Sequence, residues 1–509
     1  MHDYVIVGAG TAGCVLAARL SEDPGTSVLL VEAGPRDRSL EIKIPAAFSH
    51  LYRTQIDWGL STTPQPTLDG REVVFPLGRV LGGSSSLNAM MVLRGHRADQ
   101  DAWGVPGWSW DDVEPVYARS AAGPFPLDRS RRPGPLTAAF VESAVAAGIR
   151  RRDLNDPDNE GVGLAPTSTR RGRRFSVADG YLRPALRRSN LTVLTEAVVS
   201  RLIVDEGRAA GVEALLDGHA EELRASREVI VAAGAVGSPA LLLRSGVGPR
   251  DELEALGIGC LHDAPEVGKN LRDHLACGIL AATEGATTLY TAERLRHLIQ
   301  WLLLRRGPLT SNVGEAAAFL RSDAALEAPD LELVFAPVLF EDEGLSRPSR
   351  DGITVAAVLL QPRSAGEVRL SSPDPHDPPL VDPRYLTDAG GDDARLLLHG
   401  VRLARDIVRR EPLAGFVREE LLPGDEAQDD GALMAHIRSR SQTLYHPVGT
   451  CRIGTDPRSV VDPELRVRGV TGLRVADASV IPQLPRGHTN WPVVMVAERA
   501  SDVIRADAR

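Results

Sequence analysis

The first 32 residues restrict the fold more than any other stretch of this chain. Asp3-Tyr-Val-Ile-Val7 reads as a buried strand, residues 11–22 as a helix, and Ser27-Val-Leu-Leu-Val31 as the next strand. The three form a βαβ unit. At its first turn stands Gly8-Ala9-Gly10-Thr11-Ala12-Gly13, a GxGxxG. The first glycine permits the tight turn, the second lets backbone approach a pyrophosphate, and the third allows close packing of helix on strand. The helix N-terminus then faces the phosphate charge. In a chain with 48 glycines such a pattern alone means little. Here it follows a strand, opens a helix, and is answered by Glu32, nineteen residues beyond Gly13 and followed by Ala33. An acid at that place accepts hydrogen bonds from ribose hydroxyls. The ligand expected at Gly8–Gly13, Glu32 and Ala33 is a dinucleotide.

A chain of 509 residues exceeds what one core supports, so two packed domains are expected. The net charge of −10 argues against nucleic acid as a partner, because phosphate backbones require a basic face. Four scattered cysteines, Cys14, Cys260, Cys277 and Cys451, offer neither a CxxC pair nor metal-ligand spacing. No metal site and no structural disulfide are expected, and the compartment expected is reducing. No apolar run approaches the ~20 residues of a membrane helix. The first strand begins at Asp3, which leaves no room for a signal peptide and predicts a soluble, cytoplasmic protein.

Two later passages also run from strand to helix. One lies at 228–245, and the other runs from Leu473–Asp477 into a helix from about Pro492. With the first they suggest a single Rossmann-like nucleotide-binding domain assembled from distant segments. Residues 276–440 differ. The stretch 353–385 carries short β-type runs broken by proline-rich turns, and 392–411 is an amphipathic helix candidate. The fold class expected is α/β, α+β overall, in which the second unit is an antiparallel sheet with covering helices. The divisions are 1–275 for nucleotide binding, 276–440 for substrate, and 441–509 completing the first domain.

Several long stretches extend this reading. Gly78-Arg-Val-Leu-Gly-Gly-Ser-Ser-Ser-Leu-Asn88 and Gly234-Ala-Val-Gly-Ser-Pro through Gly248 resemble the two signatures of the glucose–methanol–choline (GMC) oxidoreductases. So do Val267-Gly-Lys-Asn-Leu-Arg-Asp-His274, Tyr445-His-Pro-Val-Gly-Thr-Cys451, and the closing runs from Val460 and from Ala476 to Pro482. They follow the family's order along nearly the whole chain, with the C-terminal homology region at about 362–505. The resemblance implies FAD. The absence of a second fingerprint agrees, since flavoenzymes that also bind NAD(P)H carry one. It further implies cofactor contacts from Arg79, Gly82, Gly83 and Ser84, from Asn88, Ala89, Met90 and Met91, and from Val198 beside the adenine. Asp477, Ala478, Asn490, Trp491 and Pro492 are implied as well, the last three through backbone near the flavin pyrimidine edge. Two positions depart from relatives. Val92 stands where an aromatic residue is frequent and is expected to reshape the pocket. Leu87 stands where some relatives carry a flavin-linked histidine, so non-covalent FAD is expected.

His446, within Tyr-His-Pro-Val-Gly-Thr-Cys, resembles the family's catalytic histidine, and His488, within Gly-His-Thr-Asn-Trp-Pro, its second catalytic position. Alcohol oxidation removes a hydride from carbon and a proton from oxygen. A histidine near its ordinary pKa of ~6.5 accepts that proton at neutral pH. His446 is read as the base and His488 as the partner that orients the hydroxyl. Cys451 reads as packing, His274 as a structural contact, and Glu315 as either a pocket residue or a solvated helix start.

The activity expected is oxidation of a primary alcohol to an aldehyde, with O2 or a quinone- or dye-like acceptor taking the electrons. The alternative is a hydroxynitrile-lyase-like reaction on the same FAD scaffold. Aromatic residues form only 4% of the chain, a mild argument against a cage for choline's ammonium.

Overall fold

Tyr4–Val7 and Val28–Val31 are buried along their whole length. Such strands belong inside a parallel sheet covered on both faces. The computed structural model, which describes residues 1–129, 133–292 and 294–508, puts them there. Leu191–Leu194, Val28–Val31, His2–Val7, the C-terminal end of His219–Val231, and Leu473–Val475 run side by side and parallel. The N-terminal half of His219–Val231 leaves this arrangement and pairs antiparallel with Arg208–Leu216, which pairs in turn with Ala197–Asp205. One sheet thus draws strands from residues 2–31, 191–231 and 473–475.

The helix after the first strand is Thr11–Leu20, and the last helix is Asn490–Asp507. The two pack together, and a buried ion pair fixes their contact. Arg19 Nη2 lies 2.7 Å from Glu498 Oε1, and Glu498 also accepts from Arg119 and from the Tyr181 hydroxyl. Glu498 is completely buried, and these donors satisfy its carboxyl oxygens.

The second sheet runs Val417–Leu422, Leu275–Thr283, Gly352–Leu359, Leu331–Ala336, Ala316–Leu320 and Gly161–Leu164, all antiparallel, with Gln442–Thr443 added beside the start of Leu275–Thr283. Its long strand begins at Leu275, while Gly161–Leu164 reaches the sheet from the N-terminal side. Side chains alternate between two faces. Leu333, Phe335, Ile353, Val355 and Ala357 pack against the helices Asp392–Val408 and Pro135–Ala146. Glu332, Val334, Ala336, Thr354 and Ala356 take the opposite face. Glu332, Ala336 and Thr354 on that face are buried, Val334 and Ala356 are half-buried, and four of the five line a cavity between the two sheets.

One expectation is corrected here. Glu315 opens no solvated helix. It is buried just before the strand Ala316–Leu320 and accepts from the hydroxyls of Ser311 and Thr137. The sheet continues where a polar start suggested a surface.

Candidate active site

A cavity of about 1120 Å³ runs between the two sheets. At one end it is lined by Gly8, Gly10, Thr11, Ala12, Glu32, Ala33 and Val198, and at the other by His446 and His488. The intervening wall includes Gly83, Ser84, Asn88, Ala89, Met90 and Met91, and Asp477, Ala478 and Asn490 contribute from the C-terminal segment.

Backbone geometry builds the dinucleotide end. Gly8 has φ +95°, a conformation that excludes most side chains. A Cβ at Gly13 would lie 1.8 Å from the Gly8 carbonyl oxygen, so helix and strand approach this closely only without one. Gly83 lies so near Gly10 that an added Cβ would be 2.6 Å from the Gly10 Cα. The two loops form a narrow backbone-lined cleft at a helix N-terminus, the chemistry a diphosphate needs. Glu32 accepts from the backbone N–H of Ala9 at 2.8 Å and of Gly34 at 2.8 Å. Burial pushes its carboxyl up to about 7, partly offset by those two donors. Asp477 is likewise raised by burial and is held by Ser238, Ser479 and the Gly234 N–H.

At the far end three histidines meet. The His446 ring centroid lies 4.7 Å from that of His488 and 5.1 Å from that of His274. His274 Nε2 lies 3.1 Å from the Leu360 carbonyl oxygen, and its Nδ1 lies 2.9 Å from His446 Nδ1. A carbonyl only accepts, so His274 Nε2 carries the proton. With burial, chiefly, and His488 pushing its pKa down to about 3, His274 is neutral and its Nδ1 accepts. His446 must then donate from Nδ1, which leaves its Nε2 with a lone pair. Burial first, then His488 and His274, hold His446 well below the ordinary histidine value. Its backbone N–H donates to Asp273, whose carboxyl also accepts from Tyr385 and is raised by burial to about 6. His488 donates from Nε2 to Glu332 Oε1 at 3.1 Å, so its Nδ1 is the nitrogen left over.

The remaining wall is apolar. Phe48, Tyr52, Phe340 and Tyr445 gather here with Val313, Val334, Ala336 and Ala356. Phe48 stacks with Phe340 at 6.1 Å, and Tyr52 meets Tyr445 at 5.5 Å. Few rings in the whole chain did not prevent four from meeting at one place. Met90, Val313 and Tyr445, all cavity residues, have positive φ of 56°, 69° and 66°. For β-branched Val313 this is a strained backbone of the kind concentrated at functional sites.

Sequence comparison matches residues 2–276 and 362–497 to the N- and C-terminal profiles described as GMC oxidoreductase. The chain belongs to this family. An uncharacterized GMC-type oxidoreductase of Mycobacterium tuberculosis is 47% identical, over 99% of each chain. The alcohol dehydrogenase [acceptor] of Pseudomonas putida is 38% identical over 99% of this chain and 96% of its own. Formate oxidase of Aspergillus oryzae RIB40, whose structure concerns FAD modification, superposes with a TM-score of 0.92 at 28% identity, covering 99% of this chain and 98% of its own. This GMC oxidoreductase is an FAD enzyme acting on CH–OH groups, and its glycine cleft fits the diphosphate of that cofactor.

Several residues singled out from sequence stand behind the cavity wall. Ala9 serves through its N–H to Glu32, and Gly13 through its fit against Gly8. Gly82, at φ 93°, bonds its N–H to the Ala9 carbonyl. Arg79 lies over the Trp58 ring. The Trp491 indole points away to Ser120 and Tyr117, and Pro492 sits inside the helix N-terminus. Val92 is buried in the first core and is not among the residues that line the cavity. Sequence reasoning missed the direct bond from His446 to His274, and missed Glu332 entirely. The available signal for Glu332 was a lone acid inside the strand Leu-Glu-Leu-Val-Phe-Ala. Cys451 is buried, and burial raises its thiol well above the usual value, consistent with packing.

Proposed function

We propose that this enzyme oxidises a primary alcohol, aliphatic or small aryl, to the aldehyde. The observation that carries the reading is the relay from the Leu360 carbonyl through His274 to His446, which leaves His446 Nε2 unprotonated. When bound, FAD supplies at flavin N5 the acceptor for the hydride that leaves the alcohol carbon. His446 Nε2 takes the hydroxyl proton, and His488, held at Nε2 by Glu332, orients the hydroxyl through Nδ1. An alcohol is far less acidic than imidazolium, so proton loss must accompany hydride loss rather than precede it. The four rings and the aliphatic wall exclude water and favour an apolar substituent on the carbinol carbon. Asp477 and Glu32 hold backbone turns around the cofactor.

FAD is held non-covalently in this reading, because Leu87 offers no nucleophile. The electrons pass on to O2 or to a quinone- or dye-like acceptor. The test is anaerobic mixing with a panel of primary alcohols while the flavin absorbance is followed. Bleaching by an apolar alcohol, lost in His446→Ala with flavin content unchanged, is the expected result. Cyanohydrin cleavage without bleaching would replace this reading by the lyase.

A further inference from the structure

The helix Leu295–Leu304, Leu-Arg-His-Leu-Ile-Gln-Trp-Leu-Leu-Leu, presents its greasy side to solvent. Leu295 is 70% exposed, Ile299 46%, Leu302 42% and Leu303 76%. At i, i+4, i+7 and i+8 these four form one stripe along the helix. Leu304 adds a further exposed side chain at 63%. The opposite side is anchored. Trp301 is fully buried, donates from its indole N–H to the Gly172 carbonyl at 2.8 Å, and packs with Leu298 and Ala292 against Ile44 and Ala47. The exposed stripe therefore belongs to a fixed element.

A basic rim surrounds it. Arg294, Arg296 and Arg306 are exposed at the helix ends. Arg305 lies over the Trp301 ring at 4.0 Å. The hairpin Thr169–Arg174 touches the end of the helix at Gly172 and brings exposed Arg170, Arg171 and Arg173 beside it. Glu293 precedes Arg294 in the sequence, and beyond it no Asp or Glu occurs from Arg294 to Gly314 or from Pro166 to Ala178. Six exposed arginines thus gather here on a chain whose net charge is −10.

We propose that Leu295–Leu304 and the arginines around it form a peripheral docking site for an anionic lipid bilayer. Leucines enter the acyl boundary while guanidinium groups meet lipid phosphates. At ten residues the helix is roughly 15 Å long, half of a bilayer core, so it lies on the surface and does not cross it. No helix among the described residues is long and apolar enough to cross a membrane. A second copy is a poorer occupant, because a twofold contact would set the same arginine rims against each other. The inner side of the helix rests on the segment Pro45–Leu51, which supplies Phe48 to the active-site wall, so docking brings that wall close to the lipid.

The test uses the flavin-loaded full chain and co-sedimentation with mixed phosphatidylglycerol–phosphatidylcholine vesicles or with phosphatidylcholine alone. Binding is expected only to the mixed vesicles and should weaken as salt rises. The double substitution Leu295→Asp and Leu303→Asp should lower partitioning by at least about tenfold, since it removes the inserting groups. Arg296→Glu and Arg306→Glu should each lower it by about fivefold or more. Dye-linked turnover of a water-soluble alcohol in the absence of lipid should stay unchanged in all variants, which shows that they fold. Wild-type protein that ignores anionic vesicles, or binding that survives the aspartates, overturns the proposal. So does a dimer in sedimentation velocity that Leu303→Asp dissolves.

Discussion

His446 Nε2 is unprotonated because of a carbonyl two residues away in the hydrogen-bond chain, not because of any property of His446 alone. A neutral imidazole has one donor and one acceptor, so fixing His274 at Leu360 fixes both rings. The same burial that protects this relay lowers the pKa of His446, and catalysis as proposed needs its neutral form. The sign follows directly. Activity persists as pH falls past the ordinary histidine value, and is lost only when pH reaches the depressed one. A profile of kcat/KM against pH should therefore show an acid limb with its midpoint below ~6.5. A midpoint at or above that value would contradict the assigned relay. His488 differs in being tied to a carboxylate, so the two neighbouring rings are suited to separate tasks.

At the scale of elements, the first turn separates two kinds of glycine. Gly13 faces the protein, where a methyl group would meet the Gly8 carbonyl at 1.8 Å and force the first helix off the sheet. Gly10 lines the cavity, and the nearest atom to an added Cβ is 3.9 Å away. Gly13→Ala should therefore cost at least about 3 kcal/mol of stability, or prevent folding outright. Gly10→Ala should melt within a few degrees of the parent while retaining far less flavin. Thermal unfolding of the apoprotein together with the flavin-to-protein absorbance ratio distinguishes the two. Equal melting temperatures for both variants would mean that helix packing does not depend on Gly13.

The whole molecule is closed by its ends. The first helix and the last one meet across Arg19 and Glu498, which also joins Arg119 and Tyr181. Thr11 and Asn490 share a hydrogen bond of 2.8 Å at the cavity itself. The C-terminal segment that delivers His488 is thus positioned by residues from the start of the chain. Removing Glu498 leaves the Arg19 charge partly buried without its main partner. Arg19 keeps Glu22 and Arg119 keeps Asp502, so Glu498→Ala should cost about 1–3 kcal/mol in urea unfolding of the apoprotein, and should loosen flavin binding through Asn490. Loss of less than about 1 kcal/mol, the range of an exposed ion pair, would show that this clamp is not what holds the ends together.

Much of this architecture was readable before any coordinates. Patterns that act over a few residues declare themselves in order along the chain. The βαβ turn at Gly8–Gly13 does so, and so do the helices near 11–22 and 392–411 and the break into short strands after 353. Glu32 and His446, which line one cavity, could be singled out because each lies inside a local motif. What the chain order concealed were partnerships across long separations. His274 meets His446 over 172 residues, and Glu332 meets His488 over 156. Neither pair has a periodicity or spacing that announces it. Glu332 reaches the site only because strand alternation turns it, with Val334 and Ala336, away from the helices. Four rings converge on a single wall in a chain that has few, because sheet and loop geometry brings together what composition averages out. Local sequence determined the FAD family and the glycine turn that opens the first helix. Tertiary packing alone decided which nitrogen of His446 is free, because a tautomer is set by the partner across space and not by the neighbour in the chain.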